Sequence, residues 1–320
     1  MFCNGIVRLN QKGYVFLFLV FLIMVYYHFT NGFKRDDNSR INLSSLLQTA
    51  ILAAEVGGQF VVQVRNNPEV HYKGKTKEGL DDSVTNADFL SHCAMVKILT
   101  GKFPTVKFIS EEKNIPCDIK QKIPNHDIPI NLSNKFANSN DVTIWIDPLD
   151  ATHEYTEKLF KYVTTMVCIA VKGEPIIGII HNPFENTTSW AMVGGGTSDD
   201  LKNPKPVMED GKVKFIISRS HRGTVEQALE KNFKNYEVVI AAGAGYKVLK
   251  VAKGEVDAYI HITAIKKWDI CAGNAILRAL GGQMTTKDGQ LLTYLDDTDV
   301  VNKDGLIATL KYHDFFTNKL

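Results

Sequence analysis

The amino-acid sequence predicts a mixed α+β and α/β protein preceded by one apolar helix. Three patterns support this: an apolar run at 14–29, two amphipathic helices followed by strands over 45–193, and alternating strands and helices over 214–280. Such alternation is typical of an α/β lobe. The predicted segments are a tail at 1–13, a transmembrane anchor at 14–29, a stem at 30–40, an N-terminal α+β lobe at 41–212 and a C-terminal α/β lobe at 213–320.

Composition excludes two broad classes of protein. The 320 residues carry 37 Lys and Arg against 35 Asp and Glu, a net charge of +2, and 44% of them are hydrophobic. Wholesale disorder is excluded because the apolar fraction is ordinary for a protein with a large core. Nucleic acid is not expected as a partner, since affinity for a phosphate backbone needs a strong basic excess.

The apolar run reads YVFLFLVFLIMVYYHF, in which His28 is the only readily charged side chain. A helix of about 16 residues lies near the lower length limit for crossing a bilayer. A buried core helix and a cleaved signal peptide are the alternatives, but no A-x-A cleavage site follows the run. We therefore interpret it as an uncleaved signal anchor. Basic residues lie on both sides of it, so charge alone does not decide its orientation.

Three N-glycosylation sequons follow the anchor, as a lumenal catalytic region would allow. They begin at Asn42, Asn131 and Asn186. These three asparagines are the predicted glycosylation sites.

Five cysteines are present without any CxxC pair, which argues against a zinc knuckle and a disulfide-rich scaffold. Cys168 and Cys271 stand within apolar patterns. We expect both to be buried free thiols.

Hydrophobic periodicity and breaker residues predict the remaining elements in order. Helices are predicted at 45–64, 87–99, 225–232, 246–253 and 269–280. Strands are predicted at 106–110, 142–146, 163–171, 176–181, 189–193, 214–218, 237–241 and 258–262. Residues 65–86 are interpreted as a loop or short hairpin and residues 113–141 as a surface insertion.

The strongest chemical signal follows the strand at 142–146, which brings Asp147 to its end. Pro148 fixes a turn, and we expect Asp150 and Thr152 on the exposed rim of that turn. Two carboxylates three residues apart can converge on a hard cation such as Mg²⁺. Taken alone, both acids could equally be turn formers or helix N-caps.

Three further acidic elements lie at strand ends or helix starts. Glu111 and Glu112 follow one strand, Asp269 opens a helix, and Asp82 and Asp88 precede or open another. Each has an ordinary alternative as a solvated strand end or an N-cap. Four such elements can meet in one cleft, where their repulsion requires cations. The set predicts a site with several Mg²⁺ ions that can hold a phosphate.

The order of these motifs resembles the lithium-sensitive inositol monophosphatase superfamily. The matching segments are Asp82-x-x-Thr85-x-x-Asp88, Ser110-Glu111-Glu112, Asp147-Pro-Leu-Asp150-Ala-Thr152 and Trp268-Asp269-x-x-Ala272-Gly273. Three more segments resemble the branch that acts on 3′-phosphoadenosine 5′-phosphate: Ala151-Thr-His-Glu-Tyr155-Thr-Glu157, Ser218-Arg-Ser220-His221 and Gly243-Ala-Gly245-Tyr246-Lys247. The resemblance covers residues 41–312.

This resemblance implies a layered αβαβα fold of the sugar-phosphatase type and a phosphoric monoester hydrolase. The expected reaction removes the 3′-phosphate of adenosine 3′,5′-bisphosphate with the help of two or three Mg²⁺ ions. With the anchor, the resemblance implies a single-pass type II protein of the Golgi membrane with a lumenal catalytic region, which clears a by-product of sulfotransferases. A homodimer is possible on the same grounds.

The resemblance also implies a role for each matching residue. Mg²⁺ would be bound by Glu111, Asp147, Asp150, Asp269 and the carbonyl of Leu149. Asp88 and Thr152 would orient and deprotonate the attacking water, while Asp82 and Glu112 would support the ligands from behind. The substrate would contact Asp150, Asp269, Ser218, His221, Gly243 and Lys247.

Two other functions stay open from the sequence. One is a phosphatase for inositol phosphates or another small phosphate ester, and the other is a catalytically silent, membrane-anchored binding protein. Without the motif, Lys247 would be an ordinary exposed helix lysine and Gly243 a plain turn residue.

Overall fold

The computed structural model describes residues 10–32, 40–75, 81–112, 116–117, 130, 132–205, 208, 211–295 and 298–320. The chain divides into two compact units, Met1–Ile41 and Asn42–Leu320. The predicted stem lies largely outside the described residues.

The first unit contains helix α1 (Gln11–Gly32) and the start of strand β1 (Arg40–Asn42). At 1.5 Å per residue, 22 helical residues extend about 33 Å. The described side chains from Tyr14 to Tyr26 are mostly exposed apolar groups. The predicted helix is therefore confirmed and extends beyond 14–29 at both ends, whereas its membrane anchoring stays a prediction.

The second unit begins with two packed helices, α2 (Leu43–Gln63) and α3 (Asn86–Lys102). Within the described residues, α2 is the helix long and apolar enough to cross a membrane, but 72% of its apolar window is buried inside this unit. It is therefore a core helix. Between the two helices, β2 (Val70–Lys75) and β3 (Asp81–Thr85) form the short antiparallel hairpin that was one of the predicted alternatives.

The first large sheet has the order β4-β6-β7-β8-β9. Its strands are β4 (Lys107–Ser110), β6 (Val142–Asp150), β7 (Thr164–Val171), β8 (Glu174–Asn182) and β9 (Thr187–Met192), and β5 (Phe136–Asn138) is a short separate strand. Strand β4 runs parallel to β6, and the other neighbours are antiparallel. Helix α4 (Thr152–Thr156) follows β6 almost directly.

The second large sheet has the order β11-β10-β12-β16-β14. Its strands are β10 (Val213–Ser218), β11 (Tyr236–Ala241), β12 (Ala258–His261), β14 (Gln283–Thr285) and β16 (Leu306–Thr309). Strand β10 runs parallel to both of its neighbours. A separate pair joins β13 (Ile265–Lys266) and β15 (Val301–Asn302). The helices are α5 (Val225–Asn232), α6 (Ala244–Ala252), α7 (Lys267–Ala279) and α8 (His313–Thr317).

These elements stack in five layers. Helices α2 and α3 cover one face of the first sheet, and α7 packs on strands of the same sheet from the other side. The largest core cluster joins the first sheet, α6, α7 and one face of the second sheet, while a second cluster joins the opposite face of that sheet to α5 and α8. The layered αβαβα fold expected from the sequence is thus confirmed.

Strand β6 differs from its prediction at the end that carries the acidic motif. The predicted strand stopped at residue 146, but β6 continues to Asp150. Its pairing with β7 shifts register between Asp147 and Asp150, where Asp150 pairs with Thr164. The shift places Pro148 in the irregular part of the ladder, where its missing N–H is tolerated. A bulge of this kind re-aims the side chains around it.

The prediction of free thiols at Cys168 and Cys271 is wrong. These residues form a disulfide between β7 and α7, and Cys93 forms a second one with Cys117. The bonded pairs are 103 and 24 residues apart. The spacing of cysteines along the sequence does not reveal such pairs, because the fold brings the two cysteines of each pair together. Disulfides form and persist in oxidising compartments, including the secretory pathway.

Helix α7 lies unusually close to β8 at Gly178. A Cβ built on Gly178 would lie 2.0 Å from the carbonyl oxygen of Ala272, a distance no side chain tolerates. The absence of a side chain at this position therefore lets α7 approach the sheet. This contact fixes the helix that carries Asp269.

We expect Gly178→Ala to lower the free energy of unfolding by about 3 kcal/mol, because the methyl group must push α7 away from the sheet. Gly101→Ala is the matched control. A Cβ at Gly101 would meet nothing within 4 Å, so the change should raise stability by about 0.5 kcal/mol through helix propensity. Urea unfolding of both variants measures the difference. Equal stability of the two variants would contradict the close contact.

Candidate active site

The end of β6 brings Asp147, Leu149 and Asp150 into the interior. Asp147 is fully buried, and its Oδ1 accepts a hydrogen bond from the Leu149 N–H at 3.2 Å. Asp150 is 9% exposed, so its predicted position on an exposed rim is wrong. Its Oδ2 accepts from the Gly245 N–H at 2.8 Å and from the Thr164 hydroxyl at 3.3 Å. The bulge turns these carboxylates inward instead of toward solvent.

Thr152 at the start of α4 is hydrogen-bonded to Asp88 in the first turn of α3. Its Oγ1 lies 3.0 Å from Asp88 Oδ1 and also 3.0 Å from the carbonyl oxygen of Leu149. The preceding Ala151 has φ 68°, a left-handed turn that starts α4 directly after the strand. One hydroxyl proton therefore serves two acceptors, one of which is a carboxylate.

Asp88 is held in place by the first turn of its own helix. Its Oδ2 accepts bonds of 2.7 Å from both the backbone N–H and the hydroxyl of Thr85. Thr85 in turn caps α3, which completes a capping box. Burial is the main reason that the pKa of Asp88 rises to about 6, and the charge of Glu112 adds to it.

Strand β4 supplies Glu111 and Glu112, and α7 supplies Asp269. The Glu111 N–H donates to the Ile146 carbonyl at 3.2 Å, which continues the pairing of β4 with β6. Glu112 is buried. Asp269 is half-buried in the first turn of α7, where its carboxylate accepts a backbone hydrogen bond from Lys266. Burial and the charge of Asp150 raise the pKa of Asp269 to about 8.

These acids repel one another. Burial raises the pKa of Asp147 well above its usual range, and four neighbouring charges raise it further. Those charges belong to Glu111, Asp150, Asp269 and Asp88. Across the described part of the chain, no group of three or more His, Cys, Asp or Glu side chains is close enough together to hold a metal ion. The acids therefore share a region of repulsion without forming a finished coordination shell.

Lys247 is the buried cation beside this group. It is 3% exposed, and its ammonium donates to the Gly243 carbonyl at 2.7 Å and lies 5.1 Å from the centre of the Tyr259 ring. Burial lowers its pKa to about 8, against the opposing charges of Asp150, Glu154 and Asp269. The alternative of an ordinary exposed helix lysine is therefore wrong.

The other predicted nucleotide contacts lie in the loop after β10 and at the start of α6. Ser218 ends β10, and its Oγ accepts from the His221 N–H at 3.0 Å. Gly243 precedes α6 with φ 67°, and a Cβ there would lie 2.5 Å from the Tyr162 carbonyl and 3.2 Å from Asp150 Oδ2. Glycine is thus required by both conformation and space. Gly243 and Gly245 therefore lie beside Asp150.

Four predicted positions lie elsewhere or outside the description. The Asp82 side chain and all of Asn131 are outside the described residues. Asn42 caps α2 and donates its Nδ2 to Asn134 Oδ1 at 2.8 Å. Asn186 is exposed in the turn between β8 and β9, with φ 51°.

Several contacts were missed at the sequence level. Thr164 and Tyr259 reach the acidic group from strands that carried no chemical motif. The Gly245 N–H, which donates to Asp150, is a backbone group, and residue types alone do not reveal a backbone donor. Glu154 was visible in the Ala151–Glu157 segment, yet only the fold places its buried carboxylate beside Ser220.

The five-layer fold and the buried acids at strand ends and helix starts are those of a class of phosphate-ester hydrolases. A model of the inositol monophosphatase family matches residues 42–317. The chain belongs to this family and is a phosphoric monoester hydrolase, so the alternative of a silent binding protein is set aside.

Individual relatives match over nearly full length. The chain is 40% identical to a mouse protein named Golgi-resident adenosine 3′,5′-bisphosphate 3′-phosphatase, over 98% of this chain and 96% of the relative. It is 41% identical to inositol monophosphatase 3 of Xenopus tropicalis, over 95% and 92%.

A solved structure described as an inositol monophosphatase/NADP phosphatase complexed with Mg²⁺ and phosphate shares the fold. Its TM-score is 0.61 at 19% identity, over 82% of this chain and 90% of that one.

The raised pKa values predict the pH dependence of stability in EDTA. Asp88 and Asp269 hold protons in the folded state that the unfolded chain has lost, so stability should fall as pH rises from the usual 3.8 to about 8. Asp147→Asn removes one repelling carboxylate and should raise stability at pH 8. Thermal unfolding at pH 5, 6.5 and 8 measures both effects.

The exposed Asp288 provides a matched control, because its carboxylate lies 3.6 Å from the ammonium of the neighbouring Lys287 instead of among buried acids. Asp288→Asn should leave the unfolding profile unchanged. A lower unfolding temperature for Asp147→Asn at pH 8 would show that the carboxylate is needed for folding and would contradict the repulsion.

Proposed function

We propose that the protein is a Mg²⁺-dependent, lithium-sensitive phosphatase that converts adenosine 3′,5′-bisphosphate and water to AMP and phosphate. The observation that carries the proposal is the pair of Thr152 and Asp88, hydrogen-bonded at 3.0 Å beside the buried acids of β6. A hydroxyl linked to a carboxylate of raised pKa is suited to general-base work near neutral pH. The names of the relatives support the same reaction class.

The donor set fits Mg²⁺. Glu111, Asp147, Asp150, Asp269 and the carbonyl oxygen of Leu149 would bind it. All are oxygen donors, which hard cations prefer. The acids around Asp147 leave an excess of buried negative charge that Lys247 alone does not balance. Bound Mg²⁺ would supply that balance, hold the substrate phosphate and stabilise the negative charge that develops during hydrolysis. Two or three ions are proposed.

Asp88 and Thr152 would handle the proton of the attacking water. Thr152 would accept a proton from the water and pass its own to Asp88, whose second oxygen is fixed by Thr85. The water oxygen forms a bond to phosphorus, and the bond from phosphorus to the 3′ oxygen breaks. The 3′ oxygen takes up one proton from solvent, and Asp88 returns its proton to solvent, so the proton count balances. Glu112, buried near Asp88, would support this arrangement from behind, and Asp82 is proposed for the same role.

The C-terminal segments would hold the rest of the nucleotide. Ser218 and His221 would contact the nucleoside, while Gly243 and Lys247 would bind the 5′-phosphate beside the start of α6. A buried ammonium next to backbone N–H groups is a favourable anion site. Asp150 and Asp269, which face this ammonium, would contact the substrate from the other side.

The same proposal includes a place in the cell. We propose a single-pass type II protein of the Golgi membrane, anchored by α1 with the catalytic region in the lumen. There it would clear the nucleotide by-product of sulfotransferases and so support sulfation of glycosaminoglycans. The apolar α1, two disulfides and the name of the mouse relative support this.

A phosphate-release panel with Mg²⁺ tests the reaction. Turnover of adenosine 3′,5′-bisphosphate should exceed that of inositol 1-phosphate, require Mg²⁺ and fall when Li⁺ is added. Thr152→Ala should lower kcat by about 100-fold or more, because the proton relay is lost. Thr156→Ala in the same helix is the matched control, since its hydroxyl bonds only to the His153 carbonyl among the described contacts.

Equal turnover of the two substrates would instead favour the inositol phosphate alternative. Normal kcat for Thr152→Ala would overturn the proposed proton relay.

Protease treatment of sealed microsomes tests the topology. The region after α1 should be protected until detergent is added. A peptide N-glycosidase should increase gel mobility, and Asn186→Gln should reduce that shift, because Asn186 is exposed. Digestion of the catalytic region without detergent would contradict a lumenal position.

A further inference from the structure

The loop after β10 is bonded to α4. Arg219 donates from Nη1 to Glu157 Oε2 and lies 3.6 Å from Glu154 Oε1. Ser220 donates from its Oγ to the same Glu154 oxygen at 3.5 Å. Two consecutive residues of the loop therefore reach two acids of a single helical turn. Glu154 is buried, so this contact lies partly inside the protein.

Both ends of this contact lead directly to proposed functional residues. Helix α4 begins at Thr152, which is bonded to Asp88. On the loop, Arg219 follows Ser218, and the backbone N–H of His221 donates to the Ser218 hydroxyl. The contact therefore links the segment that carries the proposed proton relay to the segment that carries the proposed nucleoside contacts.

Arg219 stands in the predicted nucleotide motif, where an arginine is ordinarily expected to bind a phosphate. Its surroundings favour another role. One guanidinium faces Glu154 and Glu157, so the local charge is net negative. The same Glu157 also lies 3.4 Å from His153 Nε2 within α4, which fixes the carboxylate on the helix. A guanidinium held by carboxylates in this way positions the loop instead of attracting an anion.

We propose that Arg219, together with Ser220, is a positioning residue: its bonds to Glu154 and Glu157 set where Ser218 and His221 stand relative to Thr152, and so set the affinity for the nucleotide. This inference rests on the proposed function. It assigns Arg219 no contact with the substrate.

The chain offers a matched control in the same loop. Arg222 pairs with Glu226 at 3.2 Å, and the two arginines are similarly exposed, at 37% and 40%. Arg222 also donates from Nε to the Arg219 carbonyl at 3.2 Å, so a change of Arg222 itself would disturb the loop. Glu226→Gln removes the second ion pair, which does not involve α4, and keeps that bond.

Steady-state kinetics with adenosine 3′,5′-bisphosphate and Mg²⁺ test the proposal on the full-length protein. Arg219→Gln and Glu157→Gln should each raise KM by about fivefold, the effect of losing one charge-assisted bond, and leave kcat within about twofold. Arg219→Lys keeps the charge and should recover part of the affinity. Glu226→Gln should leave both constants unchanged.

The double variant separates positioning from direct phosphate binding. If Arg219 acts through Glu157, the combination of Arg219→Gln and Glu157→Gln should be no worse than either single change. A full additional rise in KM from Arg219→Gln in the Glu157→Gln background would show a direct contact with the substrate and would overturn the proposal. Unchanged KM in both single variants would also overturn the proposal. So would a fall in both kcat and the unfolding temperature of these variants, because that would show a general structural role.

The wild-type protein keeps the two hypotheses apart. Failure of the wild-type protein to hydrolyse the nucleotide would reject the proposed function. Normal wild-type hydrolysis with no effect of Arg219→Gln would reject only the positioning role.

Discussion

Repulsion among buried carboxylates is the constraint on which the rest of the structure depends. The pKa of the buried Asp147 is raised by burial and by the charges of four other acids. Such a group is unstable unless the fold holds it together and a cation compensates for it. The bulge in β6, the start of α3 and the buried ammonium of Lys247 all act on this group.

The frame around the acids is correspondingly tight. Gly178 allows α7 to approach the first sheet, and the disulfide from Cys168 to Cys271 ties the same helix to β7. Asp269 stands two residues before Cys271, so both contacts hold the first turns of α7 against the same sheet. A rigid support of this kind lets acids stay close that would otherwise move apart into water.

Sequence patterns predicted most of the fold up to residue 280 and the acids that meet at its centre. Periodicity was sufficient for α2, α3 and α5 because each buries a regular face. It failed for β6 beyond Asp147, where the continuation depends on a register shift with a distant strand. The strands after residue 280 and both disulfides were missed for the same reason, since their partners are remote in sequence.

Asp88 joins folding and the proposed chemistry in one side chain. One oxygen closes the first turn of α3 with Thr85, and the other faces Thr152. The proposed base is therefore oriented when the helix forms, and no rotamer has to be frozen at the moment of reaction. The side-chain conformational entropy of Asp88 is lost during folding and not during the reaction. A substitution at Asp88 is therefore expected to disturb the start of α3 and the proposed proton transfer together.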